Sequence, residues 1–257
     1  MPRACAHATT SAMHPLATIA SEISGEIVVF RDAKTGLLTY TQGGYEQSAA
    51  DRHGVSTATY IHALYGLVMQ MHARSVLVIG CGGGSLARML AEAGARVTVV
   101  DVDPASFDLA RWYFGLPEAC DCRVADGAAF LESTDATYDA IVLDAYNAAI
   151  MPAHLASREF FALVKRRLAR GGALFVNAFV HDDDDPFARD TAARLATVWR
   201  AVRMIDMKGR INRNAVVMAG SVTSLGLPTL IVAPEIESCD IEQDLRLMDF
   251  RLWRKPR

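Results

Sequence analysis

Ser75-Val76-Leu77-Val78-Ile79-Gly80-Cys81-Gly82-Gly83-Gly84-Ser85 is an apolar run that opens into a glycine-rich turn. A short uncharged run rich in β-branched residues and bounded by glycine predicts a strand buried on both faces. Glycines lack a Cβ, so the backbone of the turn can press against a ligand. Downstream, Val97-Thr98-Val99-Val100-Asp101-Val102-Asp103-Pro104 predicts a second buried strand, tipped with acid. Asp101 follows Gly80 at the spacing of about 20 residues that sets a carboxylate against ribose hydroxyls. The two segments together predict a site for an adenosine-bearing cofactor.

The chain alternates on either side of this pair. Strands are predicted at 75–80, 96–101, 121–125, 138–144, 172–178 and 215–222, and helices at 85–93, 105–114, 127–133, 157–169 and 190–202. A further helix over 56–72 carries Tyr60, Leu64, Leu67, Val68 and Met71 at helical spacing. Strand–helix alternation with continuously apolar strands predicts an α/β, doubly wound, mostly parallel sheet covered on both faces. Before it, residues 26–31 and 36–41 flank Asp32-Ala33-Lys34-Thr35 as a hairpin, and Gly43-Gly44 breaks the second strand. The expected organisation is a tail and small β-rich unit over 1–55 and a Rossmann-like nucleoside-binding domain over 56–257.

Composition narrows the function classes. The chain has 257 residues, 51% hydrophobic and 21% charged, enough for one large core and too apolar for disorder. A net charge of -3 argues against a nucleic-acid partner, and the basic end Arg254-Lys255-Pro256-Arg257 reads as a solvated terminus. Cys5, Cys81, Cys120, Cys122 and Cys239 are scattered, and Cys120 and Cys122 stand too close for a zinc knuckle. Reduced thiols in a cytoplasmic protein without metal are the expectation. No run of about 18 apolar residues predicts a membrane span. Met1 to Thr18 lacks a signal peptide's apolar centre, and poor order or an oligomer contact is expected there. Asp182-Asp183-Asp184-Asp185 reads as a solvated loop that caps the following helix, because consecutive residues cannot all face one ion.

In parallel sheets ligands sit beyond the carboxyl ends of the strands, so strand-end acids matter. Asp103 is better placed than Asp101 to cap the helix after Pro104. Asp126, with Gly127, follows Cys122-Arg123-Val124-Ala125 and suits either an exocyclic amine such as adenine N6 or a helix N-cap. Tyr138-Asp139-Ala140-Ile141-Val142-Leu143 delivers Asp144 to the same crevice, with Tyr146 and Asn147 behind it. A carboxylate buried there is costly without partners, which points to a functional role. His62 is two residues from Tyr60 and off its helical face, and reads as a core or surface histidine.

The order of these features resembles the spermidine synthase family, the polyamine aminopropyltransferases, over roughly Glu26 to Val222. The resemblance rests on the hairpin followed by Gly43-Gly44-Tyr45-Glu46-Gln47-Ser48, the helix Tyr60-Ile61-His62-Ala63-Leu64, and Val76-Leu77-Val78-Ile79-Gly80. The segments around Asp101, Asp126-Gly127 and Asp144 follow in register, then Pro152-Ala153-His154-Leu155, Glu159-Phe160-Phe161 and Gly171-Gly172-Ala173-Leu174. It implies a methyltransferase-type scaffold and an S-adenosylmethionine or decarboxylated S-adenosylmethionine co-substrate. It also implies alkyl transfer of the aminopropyl type to a small amine, and a homodimer through the N-terminal region. The implied donor contacts are Gln47, Gly80, Gly82, Gly84, Asp101 with Val102, and Asp126 with Gly127. Asp144 is the implied catalytic carboxylate, Tyr60 positions the amine, and Tyr146 and Asn147 shape the acceptor side.

Two positions depart from the family. Its turn reads Gly-Gly-Gly-Asp-Gly-Gly, and the acid that would hold the donor's aminopropyl ammonium is here Gly83. Its strand end reads Asp-Ser-Ser-Asp, and the second acid is here Asn147. Charge-assisted hydrogen bonds are about twice as strong as neutral ones, so the two losses weigh against ordinary putrescine chemistry. Alternatives kept open are a small-molecule methyltransferase, a non-catalytic nucleoside-binding relative, and an NAD-dependent oxidoreductase.

Overall fold

The computed structural model describes residues 12–147 and 150–253. Cys5, the Arg254–Arg257 tail and the first eleven residues lie outside the described part. Two sheets make up the fold: a 4-stranded antiparallel sheet in the order β1-β2-β3-β4 and an 8-stranded sheet in the order β12-β10-β11-β9-β8-β5-β6-β7.

The small sheet comprises β1 (Met13–Ser21), β2 (Gly25–Asp32), β3 (Leu38–Gln42) and β4 (Tyr45–Ala50). Asp32 shapes the β2–β3 turn by accepting the N–H groups of Lys34 and Thr35. Gly43 and Gly44 take positive φ (56° and 80°) and join β3 to β4, so the predicted break is a hairpin turn. The poor order expected up to Thr18 gives way, over Met13–Thr18, to a strand paired with β2, whose Leu16, Ala17 and Ile19 pack on an apolar cluster.

The large sheet is built from β5 (Ser75–Ile79), β6 (Arg96–Asp101), β7 (Asp121–Val124), β8 (Tyr138–Leu143), β9 (Leu168–Val180), β10 (Val202–Asp206), β11 (Arg213–Gly220) and β12 (Asp249–Leu252). β7, β6, β5, β8 and β9 run parallel, and β11, β10 and β12 continue the sheet antiparallel. The helices are α1 (Thr59–Gln70), α2 (Ser85–Glu92), α3 (Pro104–Phe114), α4 (Gly127–Ser133), α5 (Arg158–Arg167), α6 (Phe187–Leu195) and α7 (Ser238–Leu247). Strand side chains alternate between two cores. Val76, Val78, Val99 and Phe175 meet α1, α2 and α7 on one face, and Leu77, Ile79, Ile141 and Leu174 meet α4, α5 and α6 on the other. Leu109 and Phe114 of α3 pack beneath Tyr40 and Leu38, which docks the small sheet on the large domain.

The predicted helix over 190–202 is displaced: α6 ends at Leu195 and Val202 already begins β10. Val202, Met204 and Ile205 are buried, and pairing with β11 takes precedence over local helical spacing.

Candidate active site

Chain order places the crevice. From β5 the chain moves outward to β6 and β7, then returns to β8 on the other flank of β5, so the strand order reverses between β5 and β8. Above this point lies a cavity of about 630 Å³, lined by Gly80, Asp101, Asp126 and Asp144 from the strand ends and by Gln47 and Ser48 from β4. That volume falls within the range of about 300–1,000 Å³ usual for small-molecule sites.

The turn after β5 needs its glycines. Gly80 (φ 100°) donates its N–H to Val100 O, and a Cβ on it would stand 2.1 Å from the backbone oxygen of Asp144. A Cβ on Gly82 would stand 2.7 Å from Ser48 Oγ. Gly83 donates its N–H to that same Ser48 Oγ (2.9 Å), and its own Cβ would meet Ser48 and the Phe114 ring at 3.0–3.1 Å. The position expected to expose a missing acid is therefore closed off by Ser48 and Phe114. Gly84 (φ 70°) is the N-cap residue of α2.

Asp101 faces the cavity with both oxygens tied to backbone: Oδ2 accepts from Cys81 N–H (2.8 Å) and Oδ1 from Asp103 N–H (2.9 Å). Burial raises its pKa, and the two amides work against that rise. Asp103 caps α3, as the sequence predicts, by accepting from Ala105 N–H. Val102 also lines the cavity, with its side chain half open beside Asp101.

Asp126 lines the cavity too, but it is the N-cap of α4. Its Oδ1 accepts from Ala128 and Ala129, and its Oδ2 meets His154 Nε2 at 2.7 Å. Of the two roles weighed for Asp126 from sequence, the cap is the one these bonds make. Gly127 is needed because a Cβ there would reach within 2.6 Å of Ile79 Cγ2.

Asp144 has a different setting. Asn177 Nδ2 donates to its Oδ1 at 2.7 Å, and the Tyr60 hydroxyl approaches its Oδ2 at 3.5 Å. Asn214 Nδ2 in turn donates to Asn177 Oδ1 (2.9 Å), which fixes the orientation of the amide. Burial raises the Asp144 pKa, only partly offset by Asn177 and Tyr60. The Tyr60 phenol is pushed well above its usual range by burial and then by Asp144. The Tyr146 hydroxyl is committed to β9: it donates to Asn177 O and accepts from Phe179 N–H, both at 2.9 Å. Tyr146 thus presents its ring to the cavity and keeps its hydroxyl in the wall. Asn147 sits exposed at the rim, bridged through its backbone to Ile150.

Sequence reasoning missed Asn177, Asn214 and Ser48. Asn177 carried a signal: it is the single polar side chain between Ala173 and Val180, and a buried amide requires partners. His62 is a buried core residue with Nε2 2.6 Å from Ser56 O, and burial lowers its pKa. In the aspartate run, Asp185 accepts the Phe187 N–H at the start of α6 and Asp183 pairs with Arg213. Among the described residues no group of acids, cysteines or histidines could hold a metal, and no helix is long and apolar enough to cross a membrane.

Comparison with known proteins agrees with this geometry. A family profile described as "Methyltransferase domain" matches residues 76–172. A probable polyamine aminopropyl transferase of Bifidobacterium longum is 32% identical over 146 residues, which cover 56% of this chain and 33% of that protein. The polyamine aminopropyltransferase of Vibrio vulnificus is 35% identical over 123 residues, covering 45% and 41%. The chain thus spans less than half the length of these curated relatives. Among solved structures, a probable spermidine synthase from Corynebacterium glutamicum superposes with a TM-score of 0.70 at 21% identity, covering 95% of this chain and 91% of that one. The last likeness concerns the fold and includes the small antiparallel sheet. With its methyltransferase-type α/β scaffold, its N-terminal sheet and its run of similarity to aminopropyltransferases, the chain is similar to the spermidine synthase family.

Proposed function

We infer that the chain is a transferase that moves an alkyl group from the sulfonium of an S-adenosyl donor to a small amine. The observation that carries this reading is Asp144: a carboxylate with a raised pKa, oriented by Asn177 and Tyr60, at the point where the strand order reverses. The cavity fits an adenosyl ligand, because Gly80 and Gly82 leave no room for side chains and Asp101 stands beside them. In this reading Gln47, Gly80, Gly82, Gly84, Asp101, Val102, Asp126 and Gly127 surround the nucleoside. Tyr60 positions the amine, the Tyr146 ring and Asn147 bound the acceptor side, and no metal takes part.

The donor supplies a carbon made electrophilic by its sulfonium. As nitrogen bonds to that carbon the carbon–sulfur bond breaks, sulfur leaves as a neutral thioether, and positive charge moves to nitrogen. Asp144 stabilises that charge and accepts the proton the nitrogen sheds. Its raised pKa brings its basicity closer to that task, and the fixed walls of the cavity hold the reactants in line. The family's aminopropyl transfer is the first form of this reaction. Methyl transfer is the second, favoured by the absence of a carboxylate at Gly83. A division at residue 55 and a homodimer through the small sheet belong to the same proposal.

Calorimetry and product analysis test it. Methylthioadenosine should bind and NAD should not, and mass spectrometry of a diamine mixture incubated with donor should show an alkylated amine. Tight NAD binding without methylthioadenosine binding would overturn the reading.

A further inference from the structure

The cavity is also lined by the loop between β10 and β11, through Met207, Arg210 and Asn212, and by Asp244 of α7. Two runs of contacts tie this loop to Asp144. In the first, Asn177 holds Asp144 and is itself held by Asn214, the second residue of β11. In the second, the Tyr60 hydroxyl approaches Asp144, and its neighbour Thr59 donates from Oγ1 to Asp244 Oδ2 (3.4 Å). Asp244 Oδ1 then accepts from Arg210 Nη2 (2.5 Å). The loop therefore stands on the acceptor side of the cavity.

The two arginines of this loop have different settings. Arg213 is 8% exposed, grips both oxygens of Asp206 through Nε and Nη2, and pairs with Asp183. Its Nη1 donates to Arg210 O, so it braces the loop and has its charge fully committed. The Arg210 side chain is 55% exposed, and Asp244 occupies one of its five guanidinium donors. Among the described residues no acceptor meets the others. A guanidinium held at one corner, in a loop fixed by a second arginine, is set in advance to bind a carboxylate on its open edge.

The other charges of the cavity complete the pattern. Asp101 and Asp126 are taken up by backbone amides. Asp144 and Glu46 both act on Tyr60, so acid gathers around the phenol that faces the amine, while the open cationic donors lie on the loop. That polarity suits a molecule with an amine at one end and an anion at the other. A diamine would set its second ammonium against the guanidinium.

We propose that Arg210 selects the acceptor, which is an amino acid: its amine lies at Asp144 and Tyr60 and its carboxylate on the open edge of the Arg210 guanidinium. The proposal rests on the alkyl-transfer reading of the cavity and names the substrate class of that reaction. The step is otherwise the same: the nitrogen–carbon bond forms, the carbon–sulfur bond breaks, and the proton goes to Asp144.

The test is acceptor binding by calorimetry with methylthioadenosine already present, so that turnover is not needed. Two matched pairs serve as probes, ornithine with putrescine and lysine with cadaverine, each differing by one carboxylate. The unaltered chain should bind at least one amino acid about tenfold or more tighter than its diamine. Arg210→Gln changes an exposed side chain and should fold, and it should remove that preference. Arg210→Lys keeps the charge without the fork and should restore part of it. Equal or tighter binding of the diamines by the unaltered chain overturns the proposal, as does binding of none of the four probes. So does an equal loss for both members of each pair in Arg210→Gln, which would make Arg210 a clamp for Asp244, or no recovery in Arg210→Lys. Methylthioadenosine separates the two levels: if it fails to bind, the donor reading falls and this one with it; if it binds while the carboxylate preference is absent, only the role of Arg210 falls.

Discussion

Asp126 and Asp144 look alike in sequence, each an acid that ends a strand and precedes a turn, yet the fold gives them opposite chemistry. Asp126 ends β7, the edge strand, with its side chain 38% exposed. Burial alone would push its pKa up, but His154 and the amides of Ala128 and Ala129 outweigh it and hold the carboxyl below its ordinary value. Asp144 ends β8 in the middle of the sheet, and its two side-chain donors do not cancel the effect of burial. A strand-end acid supplied with enough donors is a brace; one left short of them is poised to take a proton. The helix that follows decides which: α4 starts at Gly127, directly after Asp126, and turns its amides back onto the acid.

The contrast can be broken first at Asp144. Asp144→Asn should lower turnover by about 10²–10⁴-fold, the usual worth of a general base, with methylthioadenosine affinity nearly unchanged. The same variant should melt higher than the parent near pH 8. Folding holds a proton on Asp144 more tightly than unfolding does, so its contribution to stability is lost as pH rises through the folded pKa. A scan at pH 4 should show no such gain, and equal melting shifts at both pH values would refute the assignment.

Asn177 offers a finer cut. Asn177→Leu removes a donor that lowers the Asp144 pKa, so the acid limb of the pH–rate profile should move to higher pH. On the acid side of the profile turnover should fall by up to about tenfold, as for a shift of about one unit. A uniform loss with an unmoved limb would make Asn177 a packing residue only.

At the other strand end the effects should fall on stability. Asp126→Ala removes a helix cap worth about 1–2 kcal/mol. It should lower the melting temperature by about 2–4 °C per kcal/mol at neutral pH. The depressed pKa means this difference should shrink as pH falls through the folded value, visible in melts from pH 7 to pH 3. His154→Ala is the smallest change expected, below about 1 kcal/mol, since the pair is largely exposed. A melting loss for His154→Ala as large as that for Asp126→Ala would show that the ion pair, and not the cap, carries the brace.

The legible part of the molecule was the part whose signal is local. Strands β5, β6 and β8 are apolar over most of their length because both faces are covered, and the acids at the C-terminal ends of β6 and β8 stand out against that background. The unannounced elements β1, β4, β10, β12 and α7 lie toward the sheet margins or outside the parallel core. There alternation is diluted by exposed residues such as Asp249 and Leu252, and long-range pairing supplies what periodicity lacks. The site divides in the same way. Asp101 and Asp144 were readable from their own strands. The His154 contact of Asp126 and the closure around Gly83 were not, because each depends on a partner far along the chain: His154 for the first, Ser48 and Phe114 for the second.

One bond joins the two sheets at their most sensitive place. Ser48, on an outer strand of the small sheet, accepts the amide of Gly83 in the turn that would wrap the nucleoside. Whatever stiffens that turn also stiffens the strand beyond it. Filling the cavity should therefore slow hydrogen–deuterium exchange along Tyr45–Ala50, including amides that no ligand touches, and the small sheet becomes a remote reporter of occupancy.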